Sequence, residues 1–138
     1  MSKKRVSIKK PRTAAYYRQN GLCFYCFKPM WLHSVDEFAS THSISIKQAN
    51  HFQCTGEHLA AHSEGGNAPQ KNIVAACKFC NLKRHARSVP PDPGSFANLV
   101  HRRLAKGAWN SHLLSSWLIF AVGLVNYMPL RLSLFTEP

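Results

Sequence analysis

Two Cys-x-x-Cys pairs constrain this chain more than anything else in it. Cys23-Phe24-Tyr25-Cys26 and Cys77-Lys78-Phe79-Cys80 each put two thiols on one short turn. Two intervening residues let both sulfurs reach a single tetrahedral ion. Four thiolates from the two pairs would close the coordination sphere of Zn²⁺ and leave no open position for a reactive water, so such a site is structural. Two disulfides are the competing reading. The paired spacing, with Cys54 left over, favours thiolates on zinc and a reducing compartment, and Cys54 then stays a packed free thiol.

The rest of the composition narrows the class. A chain of 138 residues falls in the usual single-domain range and buries a modest core, which a metal staple supplements. Lys and Arg number 18 against 6 Asp and Glu, a formal charge of +12, so a polyanion is the natural partner and nucleic acid the commonest one. A merely soluble basic protein is the bland alternative. The N-terminus is basic with no apolar run behind it, which predicts no signal peptide and a cytoplasmic chain.

Between Cys54 and His85 lies an ordered set: Glu57-His58-Leu59, Ser63-x-Gly65-Gly66, Asn72-Ile73-Val74, then Ala76-Cys77-x-x-Cys80-Asn81 and His85. This order resembles the HNH endonucleases, the ββα-metal nucleases whose small core is often stapled by a four-cysteine zinc site. The similarity covers residues 12 to 109. It implies an α+β fold: a hairpin followed by a helix, with flanking N- and C-terminal helices. It also implies a metal-dependent endonuclease that hydrolyses the phosphodiester bonds of DNA. By the resemblance His58 is the general base, and imidazole meets the need for a proton acceptor that is neutral near pH 7. Asn72 matches the asparagine that orients that base. Glu57 takes the position of a catalytic-metal ligand. Asn81 and His85, spaced i and i+4, share one helix face and complete the ligand set. The six acids are scattered through the chain, which argues for one catalytic ion with mixed ligands. Mg²⁺ is the first expectation, with Mn²⁺ or Ni²⁺ admitted by the imidazole. Lys83, Arg84 and Arg87 follow on the same helix and are read as phosphate contacts that position the strand without reading sequence. A second copy of the chain is the natural partner wherever both strands are cut. The alternative from another class is a non-catalytic zinc-ribbon module that binds nucleic acid.

Around this core the organisation reads as three parts: a basic disordered arm over 1–12, the nuclease domain over 13–109, and an apolar extension over 110–138. A short helix runs from Thr13 to Asn20 and stops at Gly21. The aromatics after the first knuckle, including Phe24, Tyr25 and Phe27, are read as packing around it. The alternation Ser43-Ile44-Ser45-Ile46 predicts a strand. Strands are expected at 57–60 and 72–76, a polar loop between them, a helix from Cys77 that stops before Pro90, and a basic helix over 95–109. His62, four residues after His58, invites a metalloprotease reading. That motif needs a glutamate directly after the first histidine, so the reading is rejected. Residues 107 to 130 carry no charged side chain and approach the length of a bilayer span, about 20 residues. Three readings follow for 113–130: a helix folded onto the domain, an extension with little function, or a membrane anchor, which ranks last.

Overall fold

The computed structural model describes residues 7–60 and 69–111. The first six residues of the basic arm, His62, the Gly65-Gly66 loop and the apolar stretch 113–130 lie outside them. The described chain is α+β, and its centre is a two-stranded antiparallel hairpin, β1 (Cys54–His58) and β2 (Ile73–Cys77). The register pairs Cys54 with Cys77, Gly56 with Ala75 and His58 with Ile73. All five residues of β2 are buried, as expected of Ile, Val and Ala covered on both faces.

One cover is α1 (Lys9–Arg18). The chain entering α1 lies so close to β1 that a Cβ on Gly56 would stand 2.8 Å from Ile8 Cδ1, so any larger residue there would have to displace the Ile8 side chain. The far edge of β2 is closed without a third strand. Gln19 donates Nε2 to Ala75 O at 2.8 Å and accepts from Ala75 N at 2.9 Å. Arg18 donates to Ile73 O at 3.3 Å. An edge that would otherwise invite pairing is thereby satisfied by side chains. Because α1 begins at Lys9, residues 9–12 are helical, which shortens the expected disordered arm.

The other cover is α5 (Lys78–Arg84), which leaves β2 directly with Cys77 as its N-cap. Helix α6 (Pro93–Ala105) starts at the Asp92 cap with Pro93 in its first turn, and brings Phe96 and Val100 against Tyr25 and Trp109. A second, smaller core of Phe38, Ala39, Ala49 and Phe52 joins α2 (Val35–His42) to α3 (Ile46–Ala49).

The strand expected over Ser43–Ile46 is absent from the described residues. Ser43 is the left-handed cap of α2 at φ +52°. Ser45 and Gln48 form a capping box that starts α3. Serine hydroxyls competing for backbone donors defeat an alternation of only four residues. Asn72 closes a short helix, α4 (Pro69–Asn72), so β2 starts one residue later than expected.

Candidate metal staple and hairpin–helix site

The two Cys-x-x-Cys pairs converge. All five cysteines are free thiols, and the Sγ atoms of Cys23, Cys26, Cys77 and Cys80 lie within 4.8 Å of one another, every one buried. Cys26 and Cys77 are 3.9 Å apart. Sulfurs on a tetrahedral zinc with bonds of about 2.3 Å stand about 3.8 Å apart. The four cysteines are therefore placed to hold a metal ion and are compatible with zinc. Backbone N–H groups already point at the sulfurs: Cys77 N donates to Cys23 Sγ at 3.3 Å and Cys80 N to Cys77 Sγ at 3.4 Å. The indole of Trp109 donates to Cys80 Sγ at 3.3 Å.

Burial alone raises the Cys23 thiol, but hydrogen bonds from Cys26, Cys77 and Cys80 outweigh it and hold Cys23 well below the ordinary thiol range. Hydrogen bonds with Cys23 and Cys26 push Cys77 and Cys80 up. Lys28 hydrogen-bonds the carbonyls of Trp109 and Asn110 at 3.0 and 2.6 Å, and burial lowers it while the cluster cysteines draw it back up. Cys54 is different. It lies on β1 outside the cluster, and burial pushes its thiol up to about 11, so it stays protonated and inert.

At the other end of α5 the hairpin meets the helix through polar groups. Thr55 and Glu57 lie two apart on β1, about 6.7 Å along the strand. Asn81 and His85 lie four apart on the helix, about 6 Å along its axis. The two spacings match, so the residues meet in pairs. Asn81 Nδ2 donates to Thr55 Oγ1 at 2.9 Å, and Thr55 passes its own proton to Ala76 O at 2.7 Å. His85 Nε2 lies 3.1 and 3.2 Å from the two oxygens of Glu57. Glu57 is 1 % exposed, while the His85 side chain is 46 % exposed and opens to solvent.

Arg84 reverses its expected role. It is 6 % exposed, and its guanidinium donates to Glu57 Oε1, to His58 O at 3.1 Å and to Pro91 O at 3.0 Å. A carboxylate this buried needs a counter-charge, and the helix supplies one. Arg84 is therefore a buried ion-pair partner, not a phosphate contact, whereas Lys83 and Arg87 are exposed.

Of the expected quartet, the structure brings Glu57 and His85 together. Asn81 turns its amide nitrogen to Thr55. His58 directly follows Glu57 on β1, and its backbone carbonyl accepts from Arg84. It is the last residue of the strand and half-buried. The chain beyond it is clamped by Asn72, which accepts from Ala60 N at 2.8 Å, donates to Ala60 O at 2.9 Å, and offers its own carbonyl to Leu59 N at 3.0 Å.

Three contributors were missed from the sequence: Thr55, Arg84 as a partner of Glu57, and Lys28. A signal existed for the second. Glu57 sits in an apolar run that must be covered, and Arg84 is a nearby cation on the covering helix. Against this geometry, the chain matches no family model, no curated protein and no solved structure.

Proposed function

We propose that the chain is an HNH-type, metal-dependent DNA endonuclease with a structural zinc on Cys23, Cys26, Cys77 and Cys80. The observation that carries this reading is the approach of His85 to the buried carboxylate of Glu57 where hairpin and helix meet. Two ligands at right angles on an ion with bonds of about 2.1 Å stand about 3 Å apart. His85 Nε2 and the Glu57 oxygens have that spacing. One carboxylate and one imidazole are donors that would suit Mg²⁺, Mn²⁺ or Ni²⁺. A divalent ion held by Glu57 and His85 would supply Lewis-acid polarisation of the phosphodiester and stabilisation of the leaving oxygen.

The chain's own residues do the rest. Asn72 fixes Leu59 and Ala60 and so limits the travel of the His58 backbone. His58 accepts the proton of the attacking water as its oxygen bonds to phosphorus and the bond to the 3′ oxygen breaks. The departing 3′ oxygen takes a proton from solvent, so the products are a 5′ phosphate and a 3′ hydroxyl. The exposed Lys83 and Arg87 hold flanking phosphates.

A nicking assay on supercoiled plasmid with Mg²⁺, Mn²⁺ or Ni²⁺ tests the reading. We expect His58→Ala to lower the rate by about 10²- to 10⁴-fold, the usual worth of a general base. Equal cleavage by the two proteins would remove His58 from the mechanism. A second reading, a zinc-ribbon module that binds nucleic acid without cutting it, is favoured by the Arg84 guanidinium on Glu57, which already neutralises that carboxylate. Tight DNA binding by wild type with no cleavage under any of the three ions would establish it.

A further inference from the structure

Phe27 directly follows the second cysteine of the first knuckle. Its N–H closes the turn onto Cys23 O at 2.9 Å. To do so its backbone adopts φ +55°, the left-handed region where glycine is at ease and a bulky side chain is strained. The strain is not offset by burial, because Phe27 is 60 % exposed. Of the aromatics expected to pack around the knuckle, Tyr25 is buried and Phe27 is turned out.

One face of the Phe27 ring lies on His101 of α6, with centroids 5.2 Å apart and planes 26° from parallel. The imidazole is itself held, its Nε2 lying 3.0 Å from Tyr25 O. The two rings form a fixed stack with its outer face open. The helix beneath is wholly basic: α6 contains His101, Arg102 and Arg103 and no acid, Lys106 caps its end, and all four are exposed.

We propose that the Phe27–His101 stack is a platform for an unpaired nucleobase of a bound strand. Every base has a π-face that stacks on an exposed aromatic ring, and the strand's phosphates would run over the cations of α6. The strain makes sense in these terms: glycine would close the knuckle turn more easily but would leave nothing to stack on. The inference rests on a nucleic-acid partner, as proposed above, and is independent of cleavage.

The test uses the full chain with its zinc and no added divalent ion. Its ligands are a short single-stranded oligonucleotide carrying 2-aminopurine and a blunt duplex of equal length, followed by anisotropy and by fluorescence quenching. We expect Phe27→Gly to weaken single-strand binding by about 5- to 150-fold, the range for losing one stacked base. It should also abolish the quenching and leave duplex binding unchanged. His101→Ala should weaken single-strand binding in the same direction. A merely structural Phe27 predicts a lower melting temperature for Phe27→Gly. Relief of a left-handed residue predicts an unchanged or higher one. The proposal is overturned if Phe27→Gly keeps the quenching and affinity, if duplex binding falls equally, or if its melting temperature drops. Absence of any nucleic-acid binding by wild type would sink both this proposal and the one before it. Binding with quenching but no nicking would sink the nuclease alone.

Discussion

The two ends of α5 make an instructive pair. At its start, Cys77 and Cys80 meet Cys23 and Cys26 in a closed set of four buried, chemically identical donors. At its end, about 10 Å further along the axis, Arg84 and His85 meet Glu57 in a set that is mixed in charge and open on one side. The closed end has every sulfur turned inward and no room for a substrate. The open end keeps a half-exposed imidazole above a buried carboxylate. One short helix thus joins four donors placed to hold a metal ion with a mixed polar group that opens to solvent. The seven-residue length of α5 sets the distance between them.

The sharpest way to break the comparison is to strip the staple. Zinc on four cysteines contributes about 10–16 kcal/mol of apparent binding free energy at neutral pH. A domain of this size has a net stability of about 5–15 kcal/mol. A strong chelator, or Cys77→Ser with Cys80→Ser, should therefore unfold the domain, seen as loss of far-ultraviolet circular dichroism that returns when Zn²⁺ is restored. A chelated protein that keeps its spectrum and melting curve would reduce the cluster to a packed group of thiols.

The open end should respond less, and asymmetrically. Glu57→Gln or Arg84→Met alone leaves a buried charge without its partner, at a cost of about 3–5 kcal/mol by denaturant unfolding. The double variant should recover much of that loss, since replacing both partners removes the unpaired charge. Additive losses in the double variant would mean that the ion pair is not the unit that holds this end together. The smallest effect belongs to Asn72→Ala, which deletes two hydrogen bonds to Ala60 for about 1–3 kcal/mol. If the clamp positions His58, cleavage should fall well beyond what that loss of stability explains at a temperature where the variant is fully folded. Parallel losses would leave Asn72 a loop residue.

Some of this architecture was open to inspection in the bare chain. The Cys-x-x-Cys spacings announced a shared cluster because both thiols of each pair sit on one turn, and short-range geometry does not depend on the rest of the fold. The hairpin and its following helix were legible for the same reason, from an apolar β-branched run bounded by a polar loop and a knuckle. The false strand at Ser43–Ile46 shows the limit of such reading. Its alternation was real, but the Ser45–Gln48 capping box is equally local and gives those backbone donors a better use.

What the amino-acid order determined, then, was the staple, the α+β core, the basic balance and the residue types available for chemistry. What only tertiary structure decided was which of them meet. Packing of the hairpin against α5 brings Glu57 to Arg84 and His85. Burial of Glu57 requires a counter-charge and takes Arg84 out of solvent to provide it. The knuckle turn forces Phe27 outward onto His101. Each outcome depends on the distance between segments far apart along the chain, and those distances are set by packing around the hairpin, where each element's choice of face is made jointly with its neighbours.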